Sequence, residues 1–403
     1  MSILGISDFT AAALPASQKM KKLLPPSKKK DLPGKTTAFP SLRCFDRLED
    51  EPLLFVRALW AACGAHLVSQ TRMVKKVAGP LRSSSELVKR LQCPVCKSKL
   101  HQTNEHFKCL NPICKTLFPR IGSIPILINP ATSIFSTNQP VDNSDNSSQG
   151  SSLQKFRGKL RTLLKALTPT LSLNIKASQN YSHFVKLLPQ KNPHPKVLVL
   201  GGRTIGQGLK KILLRPDIEF VETDVALGPQ TILICDAHDI PFEDQTFDGV
   251  IIQAVLEHVV DPYRCVEEIH RVLKDTGLVY AETPFMQQAH EGRYDFTRFT
   301  HLGHRRLFGG FDCIQDGVVC GPGMALAWSC KYFLLSFAQS KISRSILDSL
   351  AGFLFFWIKY FDYFLIRKPG AFDAASGYYF MGKKSLQTLS DKELVTLYRG
   401  AIR

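Results

Sequence analysis

KVLVLGG (196–202) is a short apolar run ending in paired glycines, and its reading decides the fold. After it, TIGQGLKKILL (204–214) predicts a helix. Four more apolar runs follow: EFVETDV (219–225), TILICDA (231–237), FDGVIIQAV (247–255) and GLVYAET (277–283). Helical or turn segments separate them. Buried strands alternating with helices predict a doubly wound α/β sheet.

In such a sheet the ligand lies beyond the carboxyl ends of the strands. Gly201, Gly202 and Gly206 follow the first run, where glycine lets backbone amides approach a ligand. Asp224 ends the second run, placed to accept hydrogen bonds from two ribose hydroxyls. The glycines alone would serve several nucleotides, and a plain strand-end turn residue is the competing reading of Asp224.

The segment 235–280 narrows the choice. It contains DAHDIPF (236–242), FDGV (247–250), VLEHV (255–259), the helix EEIHRVLK (267–274) and the turn DTGL (275–278). This combination resembles the class I S-adenosylmethionine-dependent methyltransferases, in the type 11 branch that includes ubiquinone-biosynthesis methyltransferases. The resemblance implies a Rossmann-like sheet and S-adenosylmethionine as cofactor. It further implies that Asp236 bonds the adenine amino group, that the Ala237 amide meets the ring, and that Gln253 lies beside the methionine portion. Two positions depart from the family pattern. Val199 stands where an acid is common, and Arg203 where glycine is.

Ahead of this region four cysteines read C-P-V-C, a twelve-residue gap, then C-L-N-P-I-C, at Cys93, Cys96, Cys109 and Cys114. Two close pairs across a short hairpin match a closed tetrahedral zinc site, which folds a module and does no chemistry. The competing reading is a pair of disulfides in a secreted module, but the N-terminus does not resemble a secretory signal. CPVCKSKL and FKCLNPICKTLFPRIGSIPILI resemble the small zinc-ribbon proteins that activate methyltransferases. That resemblance implies a ribbon acting in cis. One closing strand is expected in TLFPRIGSIPILINP (116–130).

Charge is distributed unevenly. Residues 1–192 carry 29 Lys and Arg against 10 Asp and Glu, whereas residues 193–385 carry 20 against 22. The basic front points to phosphates, anionic lipids or an import receptor, and says little about the substrate of the near-neutral domain. The expected order is a basic disordered tail or targeting segment (1–50), a helical segment (51–86) and the ribbon (87–130). A linker (131–154) and a helical lead-in (155–192) come next, then the methyltransferase domain (193–385) and a tail (386–403). The expected location is intracellular, cytoplasmic or organellar.

The loop at 283–300 follows a strand's carboxyl end and should border the acceptor. His290 in it has an intrinsic pKa suited to a general base, with loop architecture as the competing role. His238 and His258 read as structural. The segments 324–339 and 349–368 are strongly apolar and aromatic, and are expected to form a helical cover over the acceptor or a peripheral membrane contact. Lys359 and Asp362 argue against a spanning helix. The chain thus reads as a methyltransferase acting on a small-molecule, lipid or sugar acceptor. The rival readings are an RNA methyltransferase that uses the ribbon and basic front, and a catalytically silent scaffold.

Overall fold

Residues 85–135, 168–188, 192–203 and 206–401 are described by a computed structural model. The expected tail at 1–50, the helical segment up to residue 84, the linker from residue 136 and the lead-in up to residue 167 lie outside these residues.

The chain starts with a short helix α1 (Ser85–Lys89), then strands β1 (Leu100–Gln102), β2 (His106–Cys109), β3 (Leu117–Ile121) and β4 (Ile124–Leu127). Helix α2 (Ala177–Leu187) leads to β5 (Lys196–Leu200), α3 (Leu209–Ile212), β6 (Glu219–Asp224), β7 (Leu233–Cys235) and β8 (Phe247–Gln253). Then come α4 (Pro262–Val272), β9 (Leu273–Pro284), α5 (His301–Leu307), β10 (Phe311–Cys320), α6 (Pro322–Leu335) and α7 (Lys341–Phe355). A short helix α8 (Asp362–Leu365) and strand β11 (Gly377–Lys384) follow.

All five apolar runs became parallel strands, in the spatial order β7-β6-β5-β8-β9. The pleat explains why β5 is apolar on both faces. Val197 and Val199 of β5 face Tyr181 and Phe184 of α2, while Leu198 and Leu200 face the side holding Val266 and Ile269 of α4. Helices cover both faces, so Val197 to Leu200 of β5 and Phe247 to Ile252 of β8 are buried. Each such Val, Leu or Ile side chain contributes about 1.5–3 kcal/mol on burial. Helix α4 starts at Pro262 because Asp261 caps it, its side chain accepting from Arg264 N. Antiparallel β11 inserts between β9 and β10 and closes this end of the sheet.

Three expectations are corrected. The closing strand of the ribbon is two strands, β3 and β4, paired antiparallel. β4 then leaves the ribbon and pairs parallel with β7, Ile126 opposite Ile234 and Leu127 opposite Cys235. The ribbon is therefore built into the main sheet. The helix expected at 204–214 is only α3, because Gly208 before it sits at φ 88°. The apolar stretch at 349–368 is broken: α7 ends at Phe355, and α8 begins at Asp362. The Asp362 carboxylate is fully buried and accepts from Gly323 N (2.6 Å) and Met324 N (2.9 Å), capping α6 from outside. Lys359 Nζ donates to Thr170 O. These buried polar anchors pin the backbone, since leaving either group unpaired would cost more than ending the helix. Among the described residues no helix is long and apolar enough to cross a membrane.

Candidate active site

Strand order reverses at β5, with β6 on one side and β8 on the other. Ligands of open α/β sheets bind at such a point. A cavity of ≈ 590 Å³ lies there, and Gly201, Gly206, Asp224, Asp236, Ala237 and Gln253 all line it. Of the expected cofactor residues only Gly202 stands back, its N–H donating to Thr223 O at 2.9 Å and tying the loop to β6.

The loop after β5 depends on lacking side chains. Gly201 has φ 80°, and a methyl there would run into Val255. A methyl at Gly206 would run into the Gln253 amide, whose Oε1 is buried without a hydrogen-bond partner. Backbone thus faces the cavity where the methionine end of the cofactor would lie.

Asp224 is half-buried at the end of β6. Its Oδ2 accepts from Arg203 N and its Oδ1 from Ala226 N, each at 3.0 Å. Burial raises its pKa above the usual carboxylate range despite these bonds. They lock the rotamer and leave each oxygen a lone pair, enough for two hydroxyls. The Arg203 backbone thus orients Asp224, and Arg203 itself lines the cavity.

Asp236 is buried and caps the turn Ala237–Asp239. Its Oδ1 accepts from His238 N (3.0 Å) and lies 2.6 Å from His238 Nδ1. Burial would raise its pKa, but the bonds from His238 and Ser133 outweigh it and hold the carboxyl below its ordinary range. His238 Nε2 accepts from Asp261 N at 3.1 Å, so Nδ1 carries the ring proton. His238 is local architecture, as expected.

Ser133 was not expected here. Its hydroxyl donates to Asp236 Oδ2 at 2.6 Å. Nearby, Asn129 Nδ2 and Thr132 Oγ1 donate to Asp239 Oδ2 at 3.1 and 3.0 Å. Phe135 lines the cavity with its ring 5.4 Å from Tyr294. The first residues of the expected linker are therefore part of the pocket wall. Nothing in the sequence ties 129–135 to Asp236, about a hundred residues away.

Glu282 was missed as well. It is buried at the end of β9 and accepts from Tyr280 Oη (2.5 Å), Gln253 Nε2 (2.7 Å) and Asn174 Nδ2 (2.8 Å). Burial pushes its pKa up. Val199, where the family acid is common, is a core side chain instead. An acid inside the apolar run GLVYAET was the signal that could have found Glu282.

On the acceptor side the loop at 283–300 does border the cavity. His290 lines it, and His290 N donates to Asp295 Oδ2 at 2.8 Å. Burial opposes ionisation of Asp295, yet its ion pair with Arg298 and the His290 N–H pull it down to about 2. His258, read from sequence as structural, also lines the cavity, its ring centroid 5.0 Å from that of His290. Beside it Glu257 is fully buried, and burial pushes its pKa up to about 8. Of the expected helical cover only Met324 of α6 reaches the cavity, with Trp328 6.3 Å from the His290 ring.

The four ribbon cysteines converge. Cys93 Sγ lies 3.8 Å from Cys114 Sγ, and Cys96 Sγ 3.4 Å from Cys109 Sγ. All four sulfur atoms fall within 4.8 Å of one another. A tetrahedron of thiolates ~2.3 Å from zinc has edges of about 3.8 Å, and a disulfide needs about 2.05 Å. The donor set fits zinc, and neither separation is that of a disulfide.

Residues 215–281 match a family model described as a methyltransferase domain. No curated protein matches the chain. Among solved structures, Haemonchus contortus phosphoethanolamine N-methyltransferase 2 in complex with S-adenosyl-L-methionine is 15% identical with a TM-score of 0.35, over 59% of this chain and 61% of that one. An S-adenosylmethionine-dependent methyltransferase from Archaeoglobus fulgidus is 15% identical with a TM-score of 0.32, over 58% and 100%. Geranyl diphosphate C-methyltransferase from Streptomyces coelicolor A3(2) is 12% identical with a TM-score of 0.32, over 51% and 76%. At this level of likeness no property of those proteins passes to this chain. The matched segment spans β6 to β9 and holds Asp224, Asp236 and Gln253 at the sheet's reversal point, and the chain carries a methyltransferase domain there.

Proposed function

We propose that the chain methylates a small-molecule, lipid or sugar acceptor, with a zinc-bearing ribbon that supplies part of the cofactor pocket in cis. The observation that carries this reading is one cavity shared by the cofactor loops and the loop at 283–300. Its ≈ 590 Å³ falls in the range of small-ligand sites. Among the described residues Arg203 is the one Lys or Arg lining it, which favours a small acceptor over a nucleic-acid strand.

The cofactor's sulfonium supplies an electrophilic methyl when bound. In this reading the glycine loop at Gly201 and Gly206 faces the methionine end, with Gln253 beside it. Asp224 holds the ribose hydroxyls, while Asp236 and the Ala237 amide meet the adenine. His290 stands on the acceptor side, within reach of a proton lost by the acceptor. Alignment of acceptor and methyl does most of the work. Cys93, Cys96, Cys109 and Cys114 would hold zinc, which folds the ribbon.

Calorimetry with S-adenosylmethionine tests the cofactor assignment. Asp224→Ala should weaken binding by about 1.5–3 kcal/mol, the value of hydrogen bonds to a charged group. Unchanged tight binding in that variant, or preference for a nicotinamide dinucleotide, would refute it. Mass spectrometry of natively purified protein would identify a bound acceptor, and co-purified RNA in its place would move the assignment to an RNA methyltransferase.

A further inference from the structure

We propose that α7 and the turn after it form a docking surface for an anionic lipid bilayer. Ile342, Ile346, Leu350, Phe353 and Trp357 follow one another at steps of four, four, three and four residues. At about 3.6 residues per turn they fall within an arc of about 80°. All five are 44–67% exposed. The opposite side of the helix is the packed one. Ala351 and Gly352 are buried there, and Asp348 pairs with Lys331 of α6 at 2.6 Å. The apolar stripe of α7 thus points outward, the reverse of a helix that serves a core.

Exposed apolar side chains continue at both ends of the stripe. Phe333 and Phe337, with ring centroids 5.4 Å apart, come just before the Ser340 cap of α7. Tyr363 and Phe364 of α8 follow Trp357. So many large apolar side chains in water on one segment mark a contact surface.

Charge decides what that surface meets. Segment 324–368 carries six Lys and Arg against two Asp and no Glu. Both acids are taken up, Asp348 by Lys331 and Asp362 by the backbone of α6. Lys341, Arg344, Arg367 and Lys368 are exposed before and after the stripe. In an interfacial helix the apolar face enters the acyl boundary while flanking cations meet anionic headgroups. Trp357 and Tyr363 suit the headgroup level, where an apolar ring with one polar tip is favoured. Two other occupants fit worse. A second copy across a two-fold axis would set these cations against their own images. The chain's own residues 155–167 carry five Lys and Arg and no acid, the same sign again.

The surface starts beside the cavity, which Met324 of α6 lines, while Leu326 is exposed. A bilayer-held acceptor entering from that side rests on the methyl-transfer reading, although the docking itself does not.

The test uses the full chain and phosphatidylcholine vesicles, with and without phosphatidylglycerol, whose brominated acyl chains quench nearby tryptophan. The expected result is flotation with the anionic vesicles and quenching that disappears in Trp357→Phe. Ile346→Asp combined with Leu350→Asp should lower partition at least ~10-fold. Arg367→Gln and Lys368→Gln should each lower it about fivefold. Trp357→Phe is conservative, so it stays informative if the double aspartate variant fails to fold. No flotation of the wild type, or partition equal in all variants because the basic front alone binds lipid, overturns the proposal. Quenching unchanged in Trp357→Phe does the same. A dimer that Ile346→Asp dissociates, without vesicle binding, would give the face to a second copy instead. Calorimetry with S-adenosylmethionine on the same samples keeps the two readings apart: cofactor binding without vesicle partition sinks only the bilayer contact.

Discussion

The two ends of the sheet are held by different physics. At the ribbon end, β1 to β4 are three to five residues long and join the main sheet through a short parallel pairing with β7. At the other end, β11 runs from Gly377 to Lys384, is buried for most of its length, and lies between β9 and β10. Phe380 there is fully buried and stacks on Phe308 at 4.9 Å. Long buried strands hold themselves by apolar area. Strands as short as those of the ribbon cannot, and in the proposed reading a crosslink of four thiolates on one zinc ion would hold them. The ribbon end is also the one whose tail reaches the cofactor pocket, through Ser133 and Asp236.

The largest effect should follow from removing that crosslink. Zinc binding in structural sites is worth about 10–16 kcal/mol of folding free energy. In Cys109→Ser, elemental analysis should find the zinc gone, and hydrogen exchange should show β1 to β4 unprotected. β10 and β11 should keep their protection. Equal loss at both ends would mean that the two are one cooperative unit and would break the comparison.

Acid should strike the opposite end first. His304 on α5 is fully buried, and burial drops its pKa to about 3 against ~6.5 for a free imidazole. His301, Arg305 and Asp316 are the charged or titratable groups that act on it. Its folded pKa is the lower one, so the unfolded chain binds more protons between those values and stability rises with pH there. The contribution is complete above about pH 6.5 and is lost as pH falls toward 3, on the order of a few kcal/mol. Acid titration of His304→Phe should lack this loss. An identical acid profile in the variant would assign the acid sensitivity elsewhere.

The smallest effect sharpens the link between ribbon and pocket. Ser133→Ala removes one hydroxyl donor from Asp236 and should weaken S-adenosylmethionine binding by about 1 kcal/mol, with zinc content unchanged. Calorimetry showing no change would make the ribbon tail a neighbour of the pocket and not a part of it.

Much of this protein was legible in order along the chain. The apolar runs of the main domain, the glycines after the first strand, Asp224 at the end of the second and the four cysteines depend on local pattern. Period, turn chemistry and ligand spacing are properties of neighbouring residues, and so they survive in the sequence. The cofactor loops also converge where an α/β sheet requires them to.

What depended on distant pairing was not legible. IPIL at 124–127 reads as the close of a ribbon, yet it became a strand of the main sheet because β7 offers an unpaired edge there. Ser133 meets Asp236, and Glu282 meets Asn174, across about a hundred residues or more. His258 read as a structural residue of VLEHV, whereas the fold sets it beside His290 on the cavity wall. A sequence fixes which groups a segment carries and how it is locally shaped. Which groups end up without water, and therefore in need of a partner, is decided only when the segments pack.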